Sequence, residues 1–96
     1  MIELLIGGAI LAAATAVFKA FWEVVYNWCY SIARRFIESF TTFVKSGYNV
    51  ISYYYHREID GWYKEEVPAE RVAVKDCPIS VRDALFDYDE VIVKRF

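Results

Sequence analysis

Residues 4–45 read LLIGGAILAAATAVFKAFWEVVYNWCYSIARRFIESFTTFVK, and the interpretation of the whole chain depends on them. They begin with fifteen consecutive uncharged residues, 4–18, which would form a helix roughly 22 Å long. That is short of the roughly 30 Å hydrocarbon core of a bilayer. A helix that continues past Lys19 and Glu23 to Ala33 would be long enough to cross it. The sequence therefore predicts a transmembrane helix near the N-terminus.

Four small residues recur at every fourth position of this stretch: Gly8, Ala12, Ala16 and Ala20. Small residues at this spacing let helix backbones approach closely within membranes. We therefore expect these four residues to form a helix-packing ridge between copies of the chain. The alternative is that Gly and Ala are simply tolerated in an apolar helix.

Residues 18–45 keep a helical period of apolar and polar positions. On a helical wheel, the small residues and the later polar residues share one face, and the aromatic residues lie on the other. One uninterrupted helix with these two faces predicts an ion channel or pore lined by Lys19, Glu23, Asn27 and Arg34. A hairpin whose aromatic face is ordinary protein core would produce the same periodicity.

Aromatic residues cluster near the expected membrane boundary, since fifteen of the eighteen lie within residues 18–63. Such clustering is typical of the interfacial belt of a membrane protein. Arg34, Arg35 and Lys45 follow the belt, and basic residues prefer the cytoplasmic side. We therefore expect a membrane protein whose C-terminal half lies in the cytoplasm.

The second half of the chain carries signals for a small β-rich cap. Asp60-Gly61 suits a tight turn between strands at residues 53–57 and 62–67. Further short strands are expected at 71–74 and 90–94, with a short helix after Pro78 between them. The predicted fold class is α+β, with a membrane-embedded, amphipathic helical stem at residues 1–47 and a cytoplasmic cap at residues 48–96. We expect the protein to be a homo-oligomer.

The chain offers little for catalysis or metal binding. It has one histidine, two cysteines without CxxC spacing and no phosphate-binding or calcium-binding loop motif, so we expect no enzyme, cofactor or metal. Its net charge of −2 argues against bulk attraction to nucleic acid. The run at residues 53–57, YYYHR, could still stack on bases and contact phosphates, which makes Tyr54 and Arg57 candidate ligand contacts. Cross-strand packing would explain the same aromatic residues.

Several pieces of the chain, taken in order, resemble a family of small bacterial proteins. These pieces are the apolar start at residues 7–14, Phe21-Trp22, Trp62, the Pro-x-x-Val-Arg run at 78–82 and the acidic strand at 89–93. The order is similar to that of the Hailong-type membrane effectors of anti-phage defence, in which a nucleotide-derived oligomer holds an oligomeric conical channel shut. The resemblance implies a location in the bacterial inner membrane. It also implies a nucleotide or oligonucleotide regulator, contacted by residues 53–57 or by Arg34, Arg35 and Lys45.

The leading prediction is thus an oligomeric, pore-forming membrane effector, with membrane lipid and copies of itself as partners and a nucleotide-derived ligand as its gate. Two alternatives remain open. The first is an interaction protein whose amphipathic helix lies on a membrane surface or in the groove of a partner. The second is an oligonucleotide-binding module.

Overall fold

The computed structural model describes all 96 residues and consists of one six-stranded sheet and three helices. Strands β1 and β6 are parallel, and every other strand pair is antiparallel. The elements in chain order are β1 (Ile2–Glu3), α1 (Gly8–Ala12), α2 (Ala16–Ala33), β2 (Ser39–Ser46), β3 (Asn49–Glu58), β4 (Gly61–Glu66), β5 (Val72–Ala73), a 3-10 turn (Val74–Asp76), α3 (Ile79–Asp87) and β6 (Glu90–Arg95). The strand order is β1-β6-β2-β3-β4, and β5 pairs with the N-terminal end of β3.

The prediction of one long helix over residues 4–45 is wrong, and the stem-and-cap α+β architecture is wrong with it. The chain forms a mixed α/β domain in which this stretch contains two separate helices and a strand. Thr15 explains why the helix restarts, because its side chain accepts a hydrogen bond from the Phe18 N–H at 3.1 Å and so caps α2. The proposed boundary at residue 47 falls in the turn between β2 and β3, so both halves of the chain contribute strands to the same sheet.

Strand β2 replaces the last third of the predicted helix. Phe36, Phe40 and Phe43 have helical spacing, but the segment between them also contains two threonines and is followed by Val44. β-branched and aromatic residues prefer the pleated surface of a sheet, and here β2 pairs along its length with β3. Alternate residues of a strand point to opposite faces, so Phe40 and Phe43 end on different sides of the sheet.

The strands and the helix predicted for the second half of the chain are present, although the hairpin turn lies one residue earlier than predicted and its first strand begins at Asn49. β3 and β4 form a hairpin whose turn is Ile59-Asp60, and Gly61 follows it with φ = 137°. β5, α3 and β6 lie where a short strand, a short helix and a final strand were expected. This part was predictable because tight turns and alternating strands are encoded by residues close together in sequence.

The hydrophobic core lies between the helices and one face of the sheet. Phe43 is at its centre, with ring centroids 6.0 Å from Phe18, 5.5 Å from Phe21 and 5.8 Å from Trp22. α3 adds Val81 and Leu85 to the same core. The aromatic side chains of α2 therefore pack against the protein's own sheet. The helical period of this segment thus reflects an ordinary protein core, the alternative to a pore.

The opposite face of the sheet contributes nothing to this core. It carries Phe40, Tyr53, Tyr55 and Trp62, and we call it the open sheet face. An antiparallel sheet tolerates such an arrangement because side chains alternate between a buried and a solvated face.

No helix of this structure is both long enough and apolar enough to cross a membrane. The longest, α2, has 18 residues and carries Lys19 and Glu23 on its exposed side. The predictions of a transmembrane helix, an ion channel or pore, and an inner-membrane location are therefore wrong. The physical reason is that the most apolar segment is divided between β1, α1 and the start of α2.

Candidate functional site

A concave groove lies where the turn between β2 and β3 meets the segment that precedes α3. Gly47 has φ = 61°, a left-handed conformation that glycine adopts easily, and it lets Ser46 pair directly with Asn49. Tyr48 follows at the tip of the turn and is 91% exposed. The Val74 N–H donates a hydrogen bond of 2.8 Å to the Tyr48 carbonyl, and β5 pairs with β3, so both walls of the groove are fixed.

Three basic side chains line this groove, which has a volume of about 550 Å³. Lys45 comes from the end of β2, Lys75 from the 3-10 turn, and Arg82 from the first turn of α3. Arg82 points away from the core because its neighbour Val81 is buried there. The remaining lining residues are Tyr48, Ala73 and Val74. We call this site the basic groove.

None of the three bases of the basic groove takes part in any of the four ion pairs of the protein. No acidic residue lines the groove. The nearest acid in sequence is Asp76, which follows Lys75 in the 3-10 turn. Burial raises the pKa of the Cys77 thiol to about 11; the Asp76 charge adds to this rise and the Arg82 charge opposes it. A concave surface lined by one sign of charge concentrates counter-ions, so an anion should bind here.

The N-terminus of α3 adds to the positive potential beside the groove. Neither Ile79 nor Ser80 donates a backbone hydrogen bond within the protein, and Pro78 offers no side-chain cap. Free N–H groups and the helix dipole favour negative charge at this position. Ser80 lines a neighbouring depression that shares Lys75 and Arg82 with the basic groove.

The predicted pore-lining residues do not enclose a path. Lys19, Glu23 and Asn27 are exposed on the outer side of α2, and Arg34 is the exposed C-cap residue of that helix. The helix-packing set is also divided, because Gly8 and Ala12 lie in α1 whereas Ala16 and Ala20 lie in α2. All four small residues are exposed, and the break at residues 13–15 prevents a continuous ridge.

The candidate ligand contacts are dispersed over the molecule. Tyr54 is completely buried under the helices, whereas Arg57 is exposed and its Nη1 lies 3.6 Å from Glu38 Oε1. Arg34 and Arg35 precede β2 and Lys45 lies near its other end, so roughly 20 Å of strand separates them. Lys45 alone reaches the basic groove.

The sequence patterns did not indicate the other three side chains that line the basic groove, Tyr48, Lys75 and Arg82. They come from a turn, a 3-10 segment and a helix, and no spacing between them in sequence signals their proximity. Only the pairing of β5 with β3 and the packing of α3 on the core bring them together.

Two potentially reactive side chains are buried in the core instead. Burial raises the pKa of the Cys29 thiol to about 12, so the nucleophilic thiolate is scarce at neutral pH. His56 is enclosed between Glu58 and Glu65, whose oxygens lie 3.4 and 3.5 Å from its ring nitrogens. No group of three or more His, Cys, Asp or Glu side chains is placed to hold a metal ion.

Comparisons with protein-family models, curated proteins and solved structures found no match to this chain. A function must therefore be argued from the geometry and charge of the basic groove.

Proposed function

We propose that this protein binds a phosphorylated nucleotide in the basic groove. The observation that carries the proposal is the convergence of Lys45, Lys75 and Arg82 on one concavity in which none of them has an acidic partner. Phosphate oxygens accept charge-assisted hydrogen bonds from Lys and Arg, and these are among the stronger polar contacts in proteins. A bound phosphate would also relieve the repulsion between the three cations.

Tyr48 and the size of the groove favour a nucleotide over a simple anion. The exposed Tyr48 ring offers a face on which a base can stack, a contact used widely in nucleic-acid recognition. A volume of about 550 Å³ is within the range of small-molecule sites, roughly 300–1,000 Å³. A long nucleic acid is disfavoured, because the net charge of −2 would repel phosphates outside the groove.

The other open alternative, an amphipathic helix that docks in a partner's groove, has less support. The apolar side of α2 is occupied, since Phe18, Phe21, Trp22, Val25 and Cys29 are buried against the sheet. A helix whose apolar face is already covered has little left to offer a partner.

The proposal predicts that Arg82→Gln weakens ATP binding at least about tenfold, because a charge-assisted contact is worth roughly 1.5–3 kcal/mol. Isothermal titration with ATP and with inorganic phosphate measures the effect. Arg34→Gln is the matched control, since it removes the same charge at the end of α2 and should leave the affinity unchanged.

Tyr48→Ala separates the two parts of the ligand. It should weaken ATP binding while leaving phosphate binding unchanged, and Tyr48→Phe should bind ATP as the unmodified protein does. Equal losses from Arg82→Gln and Arg34→Gln, or no heat of binding with ATP at millimolar concentration, would contradict the proposal.

A further inference from the structure

The open sheet face has an ordered distribution of charge across its strands. One row across β6, β2, β3 and β4 is Arg95, Phe40, Tyr55 and Lys64, with bases at both ends. We call it the basic row. The next row lies about 7 Å away, two residues further along β2, β3 and β4 and three along β6, which has a bulge here, and it has acids at both ends. Its members, from β1 to β4, are Glu3, Ile92, Thr42, Tyr53 and Glu66, and we call it the acidic row.

The centre of the open sheet face is aromatic, and the hydroxyl groups of Thr42 and Tyr55 on it have hydrogen-bond partners. Phe40 stacks on Tyr55 at 4.8 Å between ring centroids, and Trp62 lies 5.5 Å from Phe40. Thr42 Oγ1 and the Tyr55 hydroxyl donate hydrogen bonds of 2.6 and 2.7 Å to the same oxygen, Oε2 of Glu90. A surface of this kind can be buried by a partner without leaving these donors unpaired.

Aromatic side chains in the middle of the open sheet face and Arg95 at the end of the basic row are residue types enriched in protein–protein interfaces. The five concavities of the molecule are lined by residues outside the basic and acidic rows. Opposite charges are present in equal number, two bases in one row and two acids in the other, which does not favour a polyanion. The partner should therefore be a protein surface of mixed charge.

A second copy of the chain provides the complementary pattern. In a symmetric dimer each copy uses the same patch, so a twofold axis must map bases onto acids. An axis parallel to the strands would place each row against itself, with like charges facing. An axis lying between the two faces and perpendicular to the strands places the basic row of one copy against the acidic row of the other. We propose that two copies pack their open sheet faces together about this second axis.

The proposal does not depend on the basic groove, because neither row contains a residue of the groove. Lys64 and Glu66 are the charges available to a second copy. The other two charges of the rows already pair within one chain, because Arg95 Nε lies 3.1 Å from Glu3 Oε1. Lys64 Nζ lies 4.1 Å above the Tyr53 ring, the residue that pairs with Glu66. In the dimer, Lys64 of each copy faces Glu66 of the other.

Sedimentation equilibrium at about 100 µM, which populates a dimer of micromolar affinity, tests the proposal. The unmodified protein should be a dimer. Lys64→Glu and Glu66→Lys should each raise the dissociation constant about tenfold or more, because like charges then face each other across the interface.

The double variant Lys64→Glu/Glu66→Lys is the decisive control. It exchanges the two charges, so opposite charges face each other again and the dimer should return. Phe86→Ser, which alters an exposed apolar residue on α3, should leave the dimer unchanged. A monomeric unmodified protein, single variants that dimerise normally, or a double variant that folds but stays monomeric would overturn the proposal.

Discussion

At the scale of single residues, burial and strand position determine which side chains are available for function. Tyr53, Tyr54 and Tyr55 are neighbours in sequence, yet Tyr54 is fully buried in the core and the other two lie on the open sheet face. Alternation along a strand produces this separation, because successive side chains point to opposite faces. A run of similar residues is thus divided between the core and the open sheet face.

Burial also controls the acid–base behaviour of Cys29, which predicts how stability depends on pH. The pKa of this thiol is about 12 in the folded protein, against 9.0 as its ordinary value. Between these values the unfolded chain loses a proton that the folded protein keeps, so the free energy of unfolding should fall as pH rises above about 9. Urea unfolding at pH 8 and pH 10.5 measures the fall.

Cys29→Ala combined with Cys77→Ala should make this fall smaller, because burial raises the pKa of both thiols. Part of the fall should remain, since burial also raises the pKa of the Tyr54 and Tyr55 hydroxyl groups. A pH profile that is identical with and without the two thiols would contradict the assignment.

At the scale of elements, the start of α2 connects the fold to the basic groove. The Thr15 side chain caps α2 by accepting from the Phe18 N–H, and its hydroxyl donates a 2.7 Å hydrogen bond to the Asp76 carbonyl. Asp76 ends the 3-10 turn that carries Lys75. A helix cap therefore also holds one wall of the groove.

Thr15→Ala should reduce the free energy of unfolding by about 0.5–2 kcal/mol, the usual cost of losing an N-cap side chain. Urea denaturation followed by far-UV circular dichroism measures it. Thr15→Ser keeps the hydroxyl and should stay close to the unmodified protein. If the Ser variant were as unstable as the Ala variant, the hydroxyl would not be the stabilising group.

At the scale of the whole molecule, the helices cover one sheet face and leave the other free. The covered face supplies the single hydrophobic core, centred on Phe43. A domain of about 100 residues is marginally stable, with a free energy of unfolding of roughly 5–15 kcal/mol. A large side chain at the centre of the only core therefore accounts for a considerable part of the total.

Phe43→Ala should lower the free energy of unfolding by about 3–5 kcal/mol, because it removes a fully buried ring and leaves a cavity. The midpoint of urea unfolding measures the loss. Phe86→Ala is the matched control, since Phe86 is 85% exposed and its truncation should cost far less. Similar losses from the two variants would contradict the placement of the core.

The sequence by itself determined the elements whose signals are local. The β3–β4 hairpin, the helix after Pro78 and the final strand could be located because turn residues, a proline at a helix start and alternating apolar residues lie close together in sequence. The amphipathic character of residues 18–33 was also evident, although the same period fits a pore, a partner's groove or an internal core.

The tertiary structure alone decided what residues 4–45 become and which side chains meet. Whether the residues after Ala33 continue a helix or form β2 depends on the strands β3 and β6 that pair with them, and these lie far away in sequence. The basic groove likewise requires Lys45, Lys75 and Arg82 to converge from three elements. Periodicity encodes the faces of an element, but long-range pairing determines what each face touches.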